Sequence, residues 1–176
     1  FFCSSTSEAL SGSLKLVRHN LCVHKPDVDR TTAVYDPTGC LRDMFDPLSK
    51  GISEALVPGL LYFDEIEAFR EYLDQHQPSS LLLRHADQLP LESVNDVLRQ
   101  GRAQGSYTIL DESSTDLAEN VPLSARLEVM PDVIALGENL GQHRVPAGCF
   151  LMTQSMFKVW DNSKDYNIHS NTWGGN

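Results

Sequence analysis

Apolar positions along this chain follow two alternating rhythms. Leu10, Leu14 and Val17 recur at helical spacing, and Ser5-Thr6-Ser7-Glu8 ahead of them fits a capping box, a hydroxyl residue followed three positions later by Glu. The pattern predicts a helix over about 6–19. Thr31 to Tyr35 is β-branched and aromatic and reads as a short strand. Asp36 to Gly59 carries three prolines and three glycines, which predicts irregular structure with one short helix. Ile66, Phe69, Tyr72 and Leu73 share one face of a second helix, with Asp64 as the expected cap. Ser80-Leu81-Leu82-Leu83 reads as a buried strand, and Leu91, Val94, Val97 and Leu98 as the face of a third helix ending near Gly105. Tyr107 to Leu110, closing on Asp111, Val133 to Leu136 and Cys149 to Met152 are further strands. A last short helix holds Met156, Phe157 and Trp160, with Ser155 as its expected cap.

Near-continuous apolar strands alternating with amphipathic helices predict an α/β fold of three layers, a mainly parallel sheet covered by helices on both faces. Ligands in such sheets gather at the carboxyl ends of the strands. Asp111, Glu138 and the residues near Thr153 are expected there, with Asp111 and Glu138 close together at one end. Residues 1–176 read as a single domain, with no internal repeat.

Charge narrows the partners. A formal net charge of −10 disfavours nucleic-acid backbones and anionic membranes, which repel an acidic protein. No apolar run approaches the length of a membrane helix. Cys3, Cys22, Cys40 and Cys149 are scattered, and Cys22-Val23-His24 has no second pair to complete a metal site. Free thiols in a reducing cytoplasm are the expected reading. The chain starts at Phe1 without a methionine or a signal-peptide pattern and stops on Gly-Gly-Asn, which reads as a piece of a longer protein.

Several stretches carry a resemblance. Phe1-Phe2-Cys3-Ser4-Ser5-Thr6-Ser7-Glu8-Ala9, Ile109-Leu110-Asp111-Glu112, Pro131 to Glu138 and Asn171-Thr172-Trp173-Gly174-Gly175-Asn176 occur in an order similar to the class III (ornithine-type) aminotransferases, which depend on pyridoxal phosphate (PLP). The resemblance implies the large domain of a fold type I PLP-dependent transferase. It implies that Thr6 and Ser7 lie in the turn that grips the cofactor phosphate, where Thr6 replaces a glycine and Ser7 keeps a hydroxyl. It also implies that Asp111 pairs with the protonated pyridine nitrogen. Read from the residues alone, Asp111 is equally a strand-end carboxylate capping the next turn. Ser114 stands where the family has a Gln that touches the ring oxygen, and Thr172 agrees with a Thr that reaches the phosphate of the partner subunit in a homodimer.

The same alignment shows losses. The lysine that carries PLP as an imine is Glu138, and a carboxylate forms no imine. The Glu-Pro-Val that ends the preceding strand is Arg84-His85-Ala86, where His85 is either a replacement contact or a solvated strand-end residue. The aromatic-His-Gly segment that stacks on the pyridine has become Thr38-Gly39-Cys40-Leu41. Arg144 is the nearby cation that could neutralise Glu138. These features imply a catalytically degenerate aminotransferase-like domain, structural, dimerising or regulatory, with weak or absent PLP binding and the other domains of a longer chain as partners. The alternative is a PLP-binding, transaminase-related enzyme that works without the lysine imine, with His143 as proton carrier. A third reading, an unrelated doubly wound domain with chance similarity, leaves the order of the matches unexplained.

Overall fold

The computed structural model describes residues 1–46, 57–142 and 144–161. Its strands are β1 (Phe2–Cys3), β2 (Thr32–Tyr35), β3 (Leu60–Phe63), β4 (Ser80–Arg84), β5 (Tyr107–Asp111), β6 (Val133–Leu136) and β7 (Gly148–Met152). The helices are α1 (Thr6–His24), α2 (Cys40–Phe45), α3 (Ile66–Gln75), α4 (Leu91–Gln104) and α5 (Gln154–Asp161). The strands form one seven-stranded sheet in the order β1-β7-β6-β5-β4-β2-β3. The five from β6 to β3 in that order run parallel, and β7 and β1 are antiparallel to their neighbours.

The apolar runs read as strands are buried because both faces of the sheet are covered. Leu82, Ile109, Val133, Ala135 and Phe150 point to one core, which they share with Leu10, Leu14, Val17 and Leu21 of α1 and Met156 of α5. Leu81, Leu83 and Leu110 point to the other, with Phe69 and Leu73 of α3 and Val94, Val97 and Leu98 of α4. Adjacent strand residues therefore serve opposite layers, as a period of two requires. Asn20 ties α5 to α1: its buried side-chain amide donates to Leu16 O at 3.0 Å and to Met156 O at 3.1 Å.

Several local expectations are corrected. α1 runs on to His24 because Leu16 and Leu21 extend its buried face, and it stops just before Pro26. β1 and the edge strand β3 were not anticipated. β1 has two residues, and Gly59, at φ +81°, hid the start of β3 within a turn-rich stretch. Glu65, not Asp64, occupies the cap of α3, without a side-chain bond. Ser155 lies inside α5, and the hydroxyl that receives the Met156 N–H, at 3.4 Å, is that of Thr153. Among the described residues the four cysteines form no disulfide, with Cys3 and Cys149 buried and Cys22 and Cys40 exposed. Among the described residues no helix is long and apolar enough to cross a membrane.

One contact fixes where α1 begins. A Cβ on Gly148 of β7 would stand 2.4 Å from Ser5 O and 2.8 Å from Ser5 C, backbone atoms with no room to move. Gly148→Ala is expected to destabilise the fold by about 1–3 kcal/mol through overpacking. Each kcal/mol should appear as a fall of roughly 2–4 °C in a thermal melt. An unchanged midpoint would mean that α1 and β7 separate at no cost.

Candidate functional site

Three parallel strands deliver their carboxyl ends side by side. Arg84 of β4 is in register with Asp111 of β5, and Asp111 with Ala135 of β6, so Glu138 follows three residues beyond that register point. The start of α1 is laid over the same edge. Asp111 and Glu138 thus share one end of the sheet, as expected.

At the helix start Ser5 is extended, and its Oγ accepts the Glu8 N–H at 3.2 Å. Glu8 Oε2 accepts the Ser4 N–H at 2.7 Å and the Ser4 hydroxyl at 2.8 Å, one residue ahead of the cap. Thr6 turns toward β6: its Oγ1 accepts the Glu138 N–H at 3.3 Å. It also packs on Gly137, where an added Cβ would stand 2.0 Å from Thr6 Oγ1 and 2.9 Å from Ser113 Cβ. Ser7 is exposed, and its hydroxyl has no partner among the described residues.

Asp111 is fully engaged within the chain. Its side chain has no solvent exposure and that of Arg84 has 12%. The Arg84 guanidinium is bonded to Oδ2 of Asp111, while Oδ1 accepts the Ser113 N–H at 2.9 Å in an Asx turn. The same Arg84 nitrogen lies 3.4 Å from Ser113 Oγ, and Arg84 Nε is buried without a hydrogen-bond partner among the described residues. Ser114 is turned away from this pair: it is exposed, with Oγ 3.2 Å from His85 Nδ1. His85 sits in the left-handed region at φ 52°, where the chain swings from β4 into the short turn Ala86–Gln88.

The loops around these residues are held by two buried side chains. Glu112 accepts the Ser124 N–H at 3.1 Å and its hydroxyl at 2.5 Å. Asn139 donates to Glu112 O at 2.9 Å and Thr115 O at 2.8 Å, and its Oδ1 accepts the Gly137 N–H at 2.9 Å. Glu138 is half-buried, and its carboxylate has neither a hydrogen bond nor an ion pair among the described residues. Arg144 is therefore not its partner there.

The structure thus gathers Thr6, Asp111 and Glu138, leaves Ser7 and Ser114 at the exposed margin, and adds Arg84, Ser113 and Asn139. Thr172 and His143 lie outside the described residues. Tyr35 offers no ring to this edge, since it is buried among Phe69 and its neighbours, and Asp36 caps α2 by accepting from Leu41 N–H at 2.7 Å and Arg42 N–H at 3.1 Å. Among the described residues no three His, Cys, Asp or Glu are grouped to hold a metal. Sequence reasoning missed the Arg84–Asp111 pair, although opposite charges at the ends of successive parallel strands are a readable signal for it.

No protein-family model and no curated protein matches the chain in sequence. Solved structures do match in shape. An ornithine δ-aminotransferase of Plasmodium falciparum superposes with a TM-score of 0.72 at 20% identity, covering 99% of this chain and 44% of that one. A transaminase from the marine bacterium Virgibacillus gives 0.79 at 16% identity, with 99% and 46% covered. An acetylornithine aminotransferase of Elizabethkingia anophelis gives 0.73 at 18% identity, with 99% and 43% covered. The chain has the sheet-and-helix fold of these neighbours, and it spans under half the length of each.

Asn139 is the part of this edge most exposed to test. Asn139→Ala removes three bonds at once and strands buried backbone groups, each costing about 1–3 kcal/mol. The expected loss is about 3 kcal/mol, read as a lower urea midpoint at constant slope. A loss within about 0.5 kcal/mol, as for an ordinary surface change, would show that the β5 and β6 turns are held by other means.

Proposed function

We propose that this chain is part of an aminotransferase-like large domain that no longer transaminates and serves a structural, dimerising or regulatory role within a longer protein. The observation that carries this reading is Glu138. It follows β6 at the shared strand end, its N–H bonded to Thr6 at the start of α1, where the resemblance requires the imine-forming lysine. Imine chemistry needs an amine held beside the cofactor carbon as nucleophile and then as proton carrier. A carboxylate supplies neither function, and its charge opposes a phosphate bound at the same helix start.

The rest of the edge fits PLP poorly. The Asp111 carboxylate that would receive the ring nitrogen is already bonded to Arg84 and Ser113. Thr6 occupies the surface of Gly137, where the family's glycine leaves backbone open. The segment that should bring a stacking ring is folded as the capped start of α2. The exposed Ser7 hydroxyl at the helix start is what remains of a phosphate grip. The aminotransferase fold of the neighbours makes PLP the group to test. The homodimer, the longer chain and its cytoplasmic location belong to the same proposal.

The test uses the full-length protein. Purified from cells supplied with the vitamin, it should be colourless, and borohydride should attach no PLP to the chain. Glu138→Lys should restore little, with half-reaction rates within about tenfold of wild type, because a misplacement of about 1 Å alone can cost on the order of a hundredfold. Rapid conversion of added PLP to its amine form by the lysine variant would refute accumulated decay and indicate one recent substitution. A yellow wild-type protein labelled by borohydride would refute the proposal outright.

A further inference from the structure

We infer that Arg84 is the resident counter-ion of this site: its guanidinium holds the Asp111 carboxylate where the resemblance puts a cofactor ring nitrogen, so the chain itself closes the site. The inference rests on reading this strand end as a former PLP site. A fully buried carboxylate must be paired, protonated or paid for in stability. In the family a pyridinium N–H supplies the opposite charge. Here a guanidinium supplies it permanently, since Arg does not deprotonate in proteins.

Geometry supports exclusion as well as neutralisation. Arg84 reaches Asp111 from the adjacent parallel strand, in register, and both carboxylate oxygens are taken, one by Arg84 and one by the Ser113 N–H. The Asp111 side chain also has no solvent exposure, so a ring nitrogen could reach it only if Arg84 or the turn beside it moved. Arg84 Nε has no hydrogen-bond partner among the described residues, so its bond to Asp111 carries most of the satisfaction of the guanidinium there. The pattern of charge agrees. The resemblance puts a Glu at position 84 and a Lys at position 138, and this chain has Arg84 and Glu138. One cation and two carboxylates remain, with the cation moved from the end of β6 to the end of β4. Simple decay would lose the cation rather than relocate it against a buried acid.

The experiment is a double-mutant cycle on the full-length protein, read by thermal melting with and without saturating pyridoxamine phosphate, which carries the ring and phosphate but needs no lysine. Arg84→Met leaves a buried carboxylate unpaired, and Asp111→Asn leaves a buried guanidinium unpaired. Each should lower the midpoint by about 10 °C. The Arg84→Met/Asp111→Asn protein should recover at least half of the loss, and Arg84→Lys, which keeps the charge but not the fork, should fall between wild type and Arg84→Met. Should a single variant fail to fold, soluble double variant is itself the expected recovery. Additive losses in the double variant would overturn the counter-ion role. Pyridoxamine phosphate should raise the midpoint of Arg84→Met by several degrees more than that of wild type, and equal shifts would overturn the exclusion. PLP binding by the wild-type protein would instead overturn the functional reading, and the coupling between Arg84 and Asp111 would still be decided by the cycle.

Discussion

The start of α1 lies so close to β6 and β7 that no side chain fits between them. Gly137 and Gly148 make the approach possible: an added Cβ would meet Thr6 Oγ1 at 2.0 Å on one strand and Ser5 O at 2.4 Å on the other. The arrangement of the candidate site follows from this contact. It brings the helix start to the carboxyl end of β6, lets Thr6 take the Glu138 N–H, and sets Ser113 of the next turn against Gly137. The apolar face of α1 then follows the sheet from Phe150 toward Val34, so the same placement that shapes the site also covers one layer of the core. A helix N-terminus beside parallel strand ends is a place where anions bind in α/β proteins. Here the first groups it meets are the chain's own.

Buried acids elsewhere show how carboxylates at the ends of strands and helices behave in this protein. Asp36 accepts two backbone N–H groups at the start of α2, Asp46 accepts the Val57 N–H at 2.9 Å and the Tyr62 hydroxyl at 2.5 Å, and Glu112 holds Ser124. Each is a clamp on a turn, satisfied by neutral donors. Asp111 is partly of that kind, through its Asx turn with Ser113, but of these four acids it is the one that forms a salt bridge among the described residues. Taking two charges out of water costs stability that their attraction only partly returns. A neutral clamp would have served the turn equally well.

The layers of the fold were legible because burial on two faces leaves a strong mark: Leu81-Leu82-Leu83 is apolar without interruption, and the α3 and α4 faces repeat at helical spacing. The edges were not legible. β1 is two residues long, and β3 is an edge strand whose Tyr62 and Phe63 are half-buried, so neither carries the pattern of a central strand. Caps were misplaced by one or two residues at Asp64 and Ser155 because several polar residues cluster at each helix start and only geometry selects among them. At the site, Asp111 and Glu138 could be placed by the order of strands. The function of Arg84, Ser113 and Asn139 depends on contacts between segments distant in the chain, and spacing along one segment does not encode those.

Shape agreement at 14–20% identity with the aminotransferases follows from the same physics. A sheet packed on both sides tolerates many apolar exchanges provided volume and alternation are kept. Chemical function tolerates far fewer, because it depends on single atoms at fixed points. A fold can therefore be kept while the charged groups at its strand ends differ, provided that each buried carboxylate keeps its donors, as Asp111 does with Arg84 and the Ser113 N–H. Under the proposed counter-ion role, Arg84 supplies from within the chain the charge that a bound ring would otherwise bring to Asp111.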